Sequence, residues 1–245
     1  MSYTASHSIM TFGKELVEIK ALLGVTAKSC DAIEDRTIDF FDTEDGVRID
    51  ISANADTIDV AESKVSQAIK NARDLLGESI YGIDVKGIEF VCVDLLKVKK
   101  LTLATAESCT GGQIAARLTS IPGVSAAYRG GVVSYWTSVK NSVLGVPNAT
   151  LEQFGAVSEE TARYMAEGAR KITGSEIGVS VTGVAGPDPD ERGIRVGIVY
   201  VGLSTPTGTF CRSCDFGFLQ RSQIQRLSAN NAFDMIRCYI SGFSV

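Results

Sequence analysis

The chain has 245 residues, 44% of them apolar and 22% charged, and its 24 basic and 29 acidic side chains give a net charge of −5. This is the composition of an ordinary globular protein, and the acidic balance disfavours binding to a nucleic-acid backbone, which depends on clustered Lys and Arg. No apolar run reaches the ~20 residues that a membrane span requires. The first residues lack the basic and apolar regions of a signal peptide, so we expect a cytoplasmic protein.

Histidine and cysteine content narrows the possible chemistry. His7 is the single histidine, and we expect it in a frayed N-terminal segment. This nearly eliminates Ser-His-Asp and Cys-His catalysis and His-ligated metals, so any nucleophile needs a different base.

Cys211 and Cys214 form a C-x-x-C pair, but the two further ligands of a zinc site are missing. We therefore predict no metal and interpret the pair as small apolar residues near a strand end. The cysteines, all expected to be reduced thiols, are Cys30, Cys92, Cys109, Cys211, Cys214 and Cys238.

In chain order, the first eighty residues predict a small acidic α+β module. Residues 1–80 carry 8 basic and 15 acidic side chains, a net of −7, whereas residues 81–245 carry 16 and 14, a net of +2. The pattern predicts a short helix from Glu15 to Leu23, a hairpin of Arg36 to Phe41 with Val47 to Ser52, and a helix from Thr57 to Leu76. The charge and the lack of a G-x-x-G loop disfavour RNA binding, so we favour a structural or dimerising module.

The second part alternates strands and helices, which predicts the α/β class. We expect a layered α/β/α domain around a buried mixed sheet, preceded by the small α+β module. The predicted helices are Ile88 to Lys100, Gln113 to Ser120, Ser158 to Thr173 and Leu219 to Ile240, and the predicted strands are Leu101 to Ala106, Gly131 to Tyr135, Ile177 to Thr182, Val196 to Ser204 and about Phe210 to Phe216.

Three stretches between these elements carry residues suited to chemistry. The first, Thr105 to Gly112, joins a strand to a helix through Ser108, Cys109 and Thr110 and two glycines. Free N–H groups at such a helix start can bind a phosphate or stabilise an oxyanion, although an ordinary helix cap explains the residues equally well.

The other two stretches follow predicted strands. In Gly130 to Asn141 a strand ends at Tyr135, and Lys140 follows five residues later. A desolvated Lys can lose its proton near neutral pH and act as the base that histidine does not provide, whereas a surface Lys is the ordinary alternative. The third stretch, Thr182 to Pro187, has small residues that allow a ligand close to the backbone or simply make a tight turn.

The motifs in these stretches resemble those of the CinA C-terminal domain family, which includes nicotinamide mononucleotide amidohydrolases. In order and spacing these are T-A-E-S-C-T-G-G, G-G-V-V-S-Y followed by K-N, L-G-V, G-A-V-S and T-G-V-A-G-P. The resemblance covers about residues 85–240 and assigns residues 83–245 to this domain. Residues 1–82 then correspond to a KH-like linker module. The molybdopterin-binding-like domain of full-length relatives is not expected here, nor is its pyrophosphatase activity.

The resemblance implies hydrolysis of nicotinamide mononucleotide to nicotinate mononucleotide and ammonia, without cofactor or metal. It implies that Ser108 is the nucleophile, Lys140 the base and Tyr135 a relay, with Cys109 as the competing nucleophile. A homo-oligomer is expected, with a pyridine mononucleotide as ligand and neither nucleic acid nor membrane as partner. The predicted substrate-binding residues are Thr110, Gly111, Gly112, Asn141, Thr182, Gly183, Gly186, Arg129 and Arg195, and Arg221 is a further candidate for the phosphate.

Two departures from the family pattern concern the substrate. Asp188-Pro189-Asp190 stands where two glycines usually follow Gly186-Pro187, and Gly217 to Arg221 stands where relatives have Gly-Asp-Arg before the last helix. Proline removes an N–H donor, and an acid beside a phosphate repels it, while Arg192 or Arg195 could compensate. A regulatory nucleotide-binding module and an amidase for another small amide therefore remain alternatives.

Overall fold

The computed structural model describes residues 2–24 and 36–245, so Cys30 lies outside the described residues. The chain forms two compact units, Met1–Val91 and Cys92–Val245. The predicted boundary after residue 82 stays a prediction. Within the described residues, no helix is both long and apolar enough to cross a bilayer.

The described residues of the first unit form a four-stranded antiparallel sheet and two helices. The elements are β1 (Tyr3–Thr11), α1 (Leu16–Leu22), β2 (Arg36–Thr43), β3 (Gly46–Ala55), α2 (Ile58–Leu76) and β4 (Ile80–Ile83). The strands lie in the order β2-β3-β1-β4. Alternate residues of β3 are buried and form one core with the inner face of α2, as the hairpin and helix patterns predicted.

The expected frayed N-terminal segment is wrong, because residues 3–11 form β1, a central strand of this sheet. Ile9 is fully buried and pairs with Ile49 on one side and Ile83 on the other. The partners of β1 are about 40 and 75 positions away in the sequence, so no local pattern indicates them. His7 lies on this strand, with Nδ1 2.5 Å from an Asp84 carboxylate oxygen and Nε2 3.1 Å from one of Glu62.

The second unit contains a mixed five-stranded sheet. A further helix, α3 (Ile88–Lys99), contains the division between the units. The remaining elements are β5 (Leu103–Glu107), α4 (Gln113–Thr119), β6 (Tyr128–Val133), α5 (Thr137–Ser142), α6 (Asn148–Phe154), α7 (Glu159–Thr173), β7 (Ile177–Gly183), β8 (Ile198–Thr205), β9 (Gly208–Asp215) and α8 (Arg221–Ser241). The strands lie in the order β6-β5-β7-β8-β9. Strands β5, β6 and β7 are parallel, whereas β8 and β9 are antiparallel to their neighbours.

Helices cover both faces of this sheet and give the predicted layered α/β fold. α7 packs on one face, while α8 packs on β7 and β8 from the other. Small residues let α7 approach the strands: a Cβ at Gly178 would lie 2.1 Å from the Ala166 carbonyl oxygen, and one at Gly202 would lie 2.4 Å from that of Ala162. The α/β class and the layered arrangement are thus confirmed.

The parallel strands bring three loops to one edge of the sheet. The carboxyl ends of β5, β6 and β7 meet there, as they do at the ligand-binding edge of many open α/β sheets. β6 ends at Val133, two residues earlier than predicted, and the next residue, Ser134, donates its N–H to the Glu107 carbonyl at the end of β5. The short helices α5 and α6, which the sequence analysis did not predict, follow this residue.

Candidate active site

The turn after β5 is held by a buried carboxylate. Glu107, 1% exposed, accepts hydrogen bonds from the backbone N–H groups of Gly112, Ile114 and Ala115 at 3.0, 3.1 and 2.8 Å. The N–H of Gly111 is also used, since it donates to the Ser108 carbonyl at 3.0 Å. The expectation that Gly111 and Gly112 offer free N–H groups to a substrate is therefore wrong. Glu107 was missed because, in the sequence, it looks like any polar residue at the end of a strand.

Ser108 stands at the start of this turn, directly after the buried strand. Its N–H donates to the Val181 carbonyl at 2.9 Å, which ties the turn to β7. The N–H groups of Cys109 and Thr110 donate to no other group among the described residues, and the buried Thr110 hydroxyl likewise has no partner in that part of the chain. The turn therefore places the Ser108 hydroxyl beside the available N–H groups of Cys109 and Thr110. Thr110 was predicted to bind the substrate, whereas Cys109 takes the place of the two glycines as the second N–H donor.

Lys140 is almost completely buried, although it is a lysine on a six-residue helix. Its side chain is 1% exposed, and Nζ donates to the Ser134 carbonyl at 2.8 Å. Burial disfavours the ammonium form and lowers the Lys140 pKa to about 8. Ser134 in turn donates its N–H to the carbonyl of Glu107, the residue before Ser108, so this contact ties Lys140 to the end of β5. The alternative of a surface lysine is thus wrong.

Cys109 has the opposite character. Its side chain is 4% exposed, and burial raises the pKa of the thiol to about 12 even though the Lys140 charge lowers it. Since the thiolate is the nucleophilic form, this thiol is unsuited to attack at neutral pH. On α8, Gln225 donates its side-chain amide to the Cys109 carbonyl at 2.8 Å and so fixes the same turn from outside.

Arg221 connects the second and third stretches. One guanidinium nitrogen donates to the Tyr135 hydroxyl at 3.1 Å and another to the Gly186 carbonyl at 2.7 Å. Tyr135 is more than half exposed, and the charge of Arg221 is near enough to lower the pKa of Cys109. The structure thus brings Tyr135, Gly186 and Arg221 to the edge that carries Ser108 and Lys140.

Of the other predicted binding residues, Gly183 lies at the same edge of the sheet, whereas Thr182 and Asn141 are already hydrogen-bonded to backbone carbonyls. Gly183 ends β7 at this same edge, and Thr182 precedes it, fully buried, with its hydroxyl donating to the Ala156 carbonyl at 2.7 Å. Asn141 uses its amide to cap the Val146 carbonyl at 2.8 Å. Thr182 and Asn141 therefore have structural partners that sequence reasoning did not foresee.

Of the three arginines predicted for the phosphate, Arg129 and Arg195 are not placed to bind it freely. Arg129 lies near the start of β6, at the opposite edge of the sheet, where its charge lowers the pKa of Glu176 along with the larger effect of Thr102. Arg195 forms an ion pair with Asp215. Arg192, the other suggested compensating residue, donates to carbonyl groups at the end of α6, including those of Leu151 and Gln153 at 3.1 Å.

The C-x-x-C pair, Cys211 and Cys214, lies in β9. Cys214 is buried and Cys211 partly so, and burial raises the pKa of both thiols, to about 11 for Cys214 and about 12 for Cys211. In the described ranges, no group of three His, Cys, Asp or Glu side chains could hold a metal ion.

Comparison with known proteins places these motifs in a family. A model of the CinA C-terminal domain matches residues 86–240. A CinA-like protein of Kosmotoga olearia is 40% identical over 201 residues, which are 82% of this chain and 48% of that protein. The chain thus spans about half the length of the curated relatives it matches.

Solved structures agree with this similarity. The competence/damage inducible protein CihA of Agrobacterium tumefaciens is 34% identical with a TM-score of 0.60, over 63% of this chain and 93% of that one. A CinA superfamily protein of Klebsiella pneumoniae is 27% identical with a TM-score of 0.61, over 64% and 97% of the two chains.

Proposed function

This chain belongs to the CinA family, and from that premise we propose that its second unit hydrolyses the carboxamide of nicotinamide mononucleotide to nicotinate mononucleotide and ammonia. The observation that carries the proposal is Lys140, a buried lysine with a pKa of about 8 at the edge of the sheet that presents Ser108. About one tenth of such a lysine is neutral at pH 7, which is enough for a general base.

Acylation uses Ser108 and Lys140. The Ser108 Oγ attacks the carboxamide carbon while its proton passes to Lys140 Nζ. The tetrahedral oxyanion is held by the available N–H groups of Cys109 and Thr110, in place of Gly111 and Gly112. The Lys140 ammonium then protonates the departing nitrogen, and ammonia leaves the acyl-enzyme ester.

Deacylation reverses the proton movements. Lys140, neutral again, takes a proton from a water molecule that attacks the ester carbon, and the proton returns to Ser108 as nicotinate mononucleotide forms. Lys140 Nζ donates to the Ser134 carbonyl, and in the proposed mechanism it moves from there toward Ser108. Catalytic hydrogen bonds commonly tighten in this way when substrate binds.

Arg221 is the best placed of the arginines to receive the phosphate. Two of its nitrogens are fixed by Tyr135 and Gly186, and a guanidinium has five N–H donors, so donors remain for an anion. In this arrangement Tyr135 positions Arg221 rather than relaying a proton. Arg195 and Arg129, which have acidic neighbours, are not needed.

A ligand-binding module without turnover is the second candidate. It is favoured by the same contacts that occupy Lys140 and Tyr135, because no hydrogen bond joins Ser108 to Lys140 among the described residues. In such a protein the site would bind the nucleotide and leave the amide intact.

Ammonia release separates the two candidates. Purified protein is incubated with nicotinamide mononucleotide without added metal, beside the Ser108→Ala variant. We expect ammonia and nicotinate mononucleotide from the wild type and none from the variant. Binding of the nucleotide by calorimetry without ammonia release would support the ligand-binding module, and turnover by Ser108→Ala would overturn the role of Ser108.

The remaining expectations extend this proposal. We propose a cytoplasmic homo-oligomer that needs no metal or organic cofactor and binds neither nucleic acid nor membrane, with the first unit as a KH-like linker module. A single monomeric species in analytical ultracentrifugation would overturn the oligomer. Activity that disappears on dialysis against a chelator and returns with a metal would overturn the cofactor-free mechanism.

A further inference from the structure

Glu107 is a buried acid that the mechanism above does not use. It is the last residue of β5 and is 1% exposed. A carboxylate in such a place is costly unless hydrogen bonds compensate it. Here they do: one oxygen accepts the N–H groups of Gly112 and Ile114, and the other accepts that of Ala115. These three bonds draw the start of α4 back onto the strand and so define the turn that contains Ser108.

The main chain of Glu107 connects to the second half of the site. Its carbonyl accepts the Ser134 N–H at 2.8 Å, and the Ser134 carbonyl in turn accepts Lys140 Nζ at 2.8 Å. The side chain of this one residue therefore fixes the segment of the nucleophile, while its backbone fixes the residue on which the base rests.

We propose that Glu107 is a positioning residue, whose buried carboxylate holds the Ser108 turn in register with the Ser134–Lys140 segment. It is not proposed as a base or a ligand, because it is 1% exposed and both of its oxygens accept backbone N–H groups. The proposal rests on the proposed amide hydrolysis only for its effect on turnover, since its effect on Ser108 reactivity can be measured without that substrate.

Two variants separate shape from charge. In Glu107→Gln the side chain keeps its length, but its NH₂ group must face backbone N–H donors, which forces the turn to move. In Glu107→Asp the charge is kept, but the carboxylate is one methylene too short to reach all three N–H groups. Positioning predicts that both variants are slow, whereas a purely electrostatic role predicts that Glu107→Asp is close to wild type.

The matched control is Asp234→Asn on α8. Asp234 is also a buried acid, 7% exposed, and accepts hydrogen bonds from Arg212 at 2.8 Å and Arg237 at 2.6 Å. Its replacement disturbs a buried polar cluster of the same unit without contacting the Ser108 turn. It therefore reports what a general loss of stability does to reactivity.

The first measurement is the labelling rate of Ser108 by a small fluorophosphonate, followed by intact-protein mass spectrometry at a temperature where all variants are folded. In this reaction the Ser108 oxygen bonds to phosphorus, fluoride leaves, and Lys140 accepts the proton. We expect labelling about 100-fold slower in Glu107→Gln and Glu107→Asp, the size of effect that a displacement of about 1 Å produces, and within about threefold of wild type in Asp234→Asn.

The second measurement is turnover of nicotinamide mononucleotide by the same proteins. We expect kcat to fall about 100-fold in both Glu107 variants with KM changed less than about threefold, since the binding groups stay in place. Wild-type labelling and turnover in folded Glu107→Gln would overturn the positioning role and leave the amidase intact. Slow labelling of the Glu107 variants, in a protein whose wild type releases no ammonia, would support the positioning role and overturn only the amidase.

Discussion

His7 and Lys140 are basic side chains, one in each unit, and their surroundings shift their pKa values in opposite directions. His7 lies between the carboxylates of Asp84 and Glu62, and the hydrogen bond to Asp84, followed by that to Glu62, raises the pKa of the imidazole. Lys140 is buried beside a carbonyl and lies next to no carboxylate among the described residues, and burial lowers its pKa to about 8. By residue type the histidine is the expected catalyst at neutral pH, but its two carboxylate partners favour the protonated form of the ring. Desolvation by the surrounding protein, which favours the neutral form, makes Lys140 the better base of the two.

The largest effect should come from removing Lys140, with removal of His7 as the comparison. Lys140→Met keeps most of the length of the buried side chain but removes the proton acceptor, and we expect kcat to fall at least about 10³-fold. His7→Gln should leave kcat within about twofold of wild type. Steady-state ammonia release measures both, and comparable losses in the two variants would mean that Lys140 is not the special base.

The stability of the second unit should also respond to Lys140. Its folded pKa lies below the unfolded value of 10.5, so the unfolded state binds more protons between about pH 8 and 10.5, and stability rises with pH across that window. Below pH 8 the penalty is up to about 3 kcal/mol, partly offset by the bond to Ser134. We expect Lys140→Met to be about 2 kcal/mol more stable than wild type at pH 7. Urea unfolding followed by Trp136 fluorescence measures this, and an unchanged or lower stability would contradict the shift.

The pH dependence of turnover should follow the titration of Lys140. Because neutral Lys140 is the active form, kcat/KM should rise about tenfold from pH 7 to pH 9 and level off above the pKa of about 8. This range lies above the titration of a substrate phosphate, near pH 6. A flat profile from pH 7 to pH 9 would assign the proton transfer to another group.

His7 should show a smaller effect of opposite sign. A raised folded pKa stabilises the fold fully below the unfolded pKa of about 6.5, and this stabilisation is lost as pH rises through the folded value. The side chain is about one third exposed, so the contribution should stay below about 1 kcal/mol. Hydrogen exchange of peptides from residues 3–11 should accelerate above that pH, beyond the intrinsic increase, in the wild type but not in His7→Gln.

Replacement of Cys109 should have only a small effect on turnover. With a pKa of about 12 the thiol is protonated at neutral pH, so Cys109→Ala should keep kcat within about threefold of wild type, the remaining loss coming from the space left by the sulfur. Alkylation by iodoacetamide at pH 7.5 should be correspondingly slow. A loss of kcat similar to that in Lys140→Met would point to Cys109 as the nucleophile.

Most secondary structure of the second unit could be predicted, because periodicity is a local property. The strands at β5, β7 and β8 are apolar runs, and α7 follows Ser158, an N-cap residue whose hydroxyl accepts the Thr161 N–H. Strand β1 could not be predicted, because its alternation of serine and apolar residues becomes a buried strand only when β3 and β4 pair with it. The short helices α5 and α6 depend in the same way on contacts outside their own sequence.

The sequence by itself determined the α/β class, the near-absence of histidine and hence the need for another base, and the motifs that contain Ser108, Tyr135 and Lys140. Only the tertiary structure decided the protonation and availability of the groups. The Glu107 carboxylate accepts N–H groups at the start of α4, and Lys140 is buried beside Ser134. Arg195 forms an ion pair with Asp215, and Arg129 lies at the far edge of the sheet. The physical reason is that hydrogen bonding and desolvation depend on neighbours from distant parts of the chain, whereas helical and strand periodicity depend on residues close in sequence.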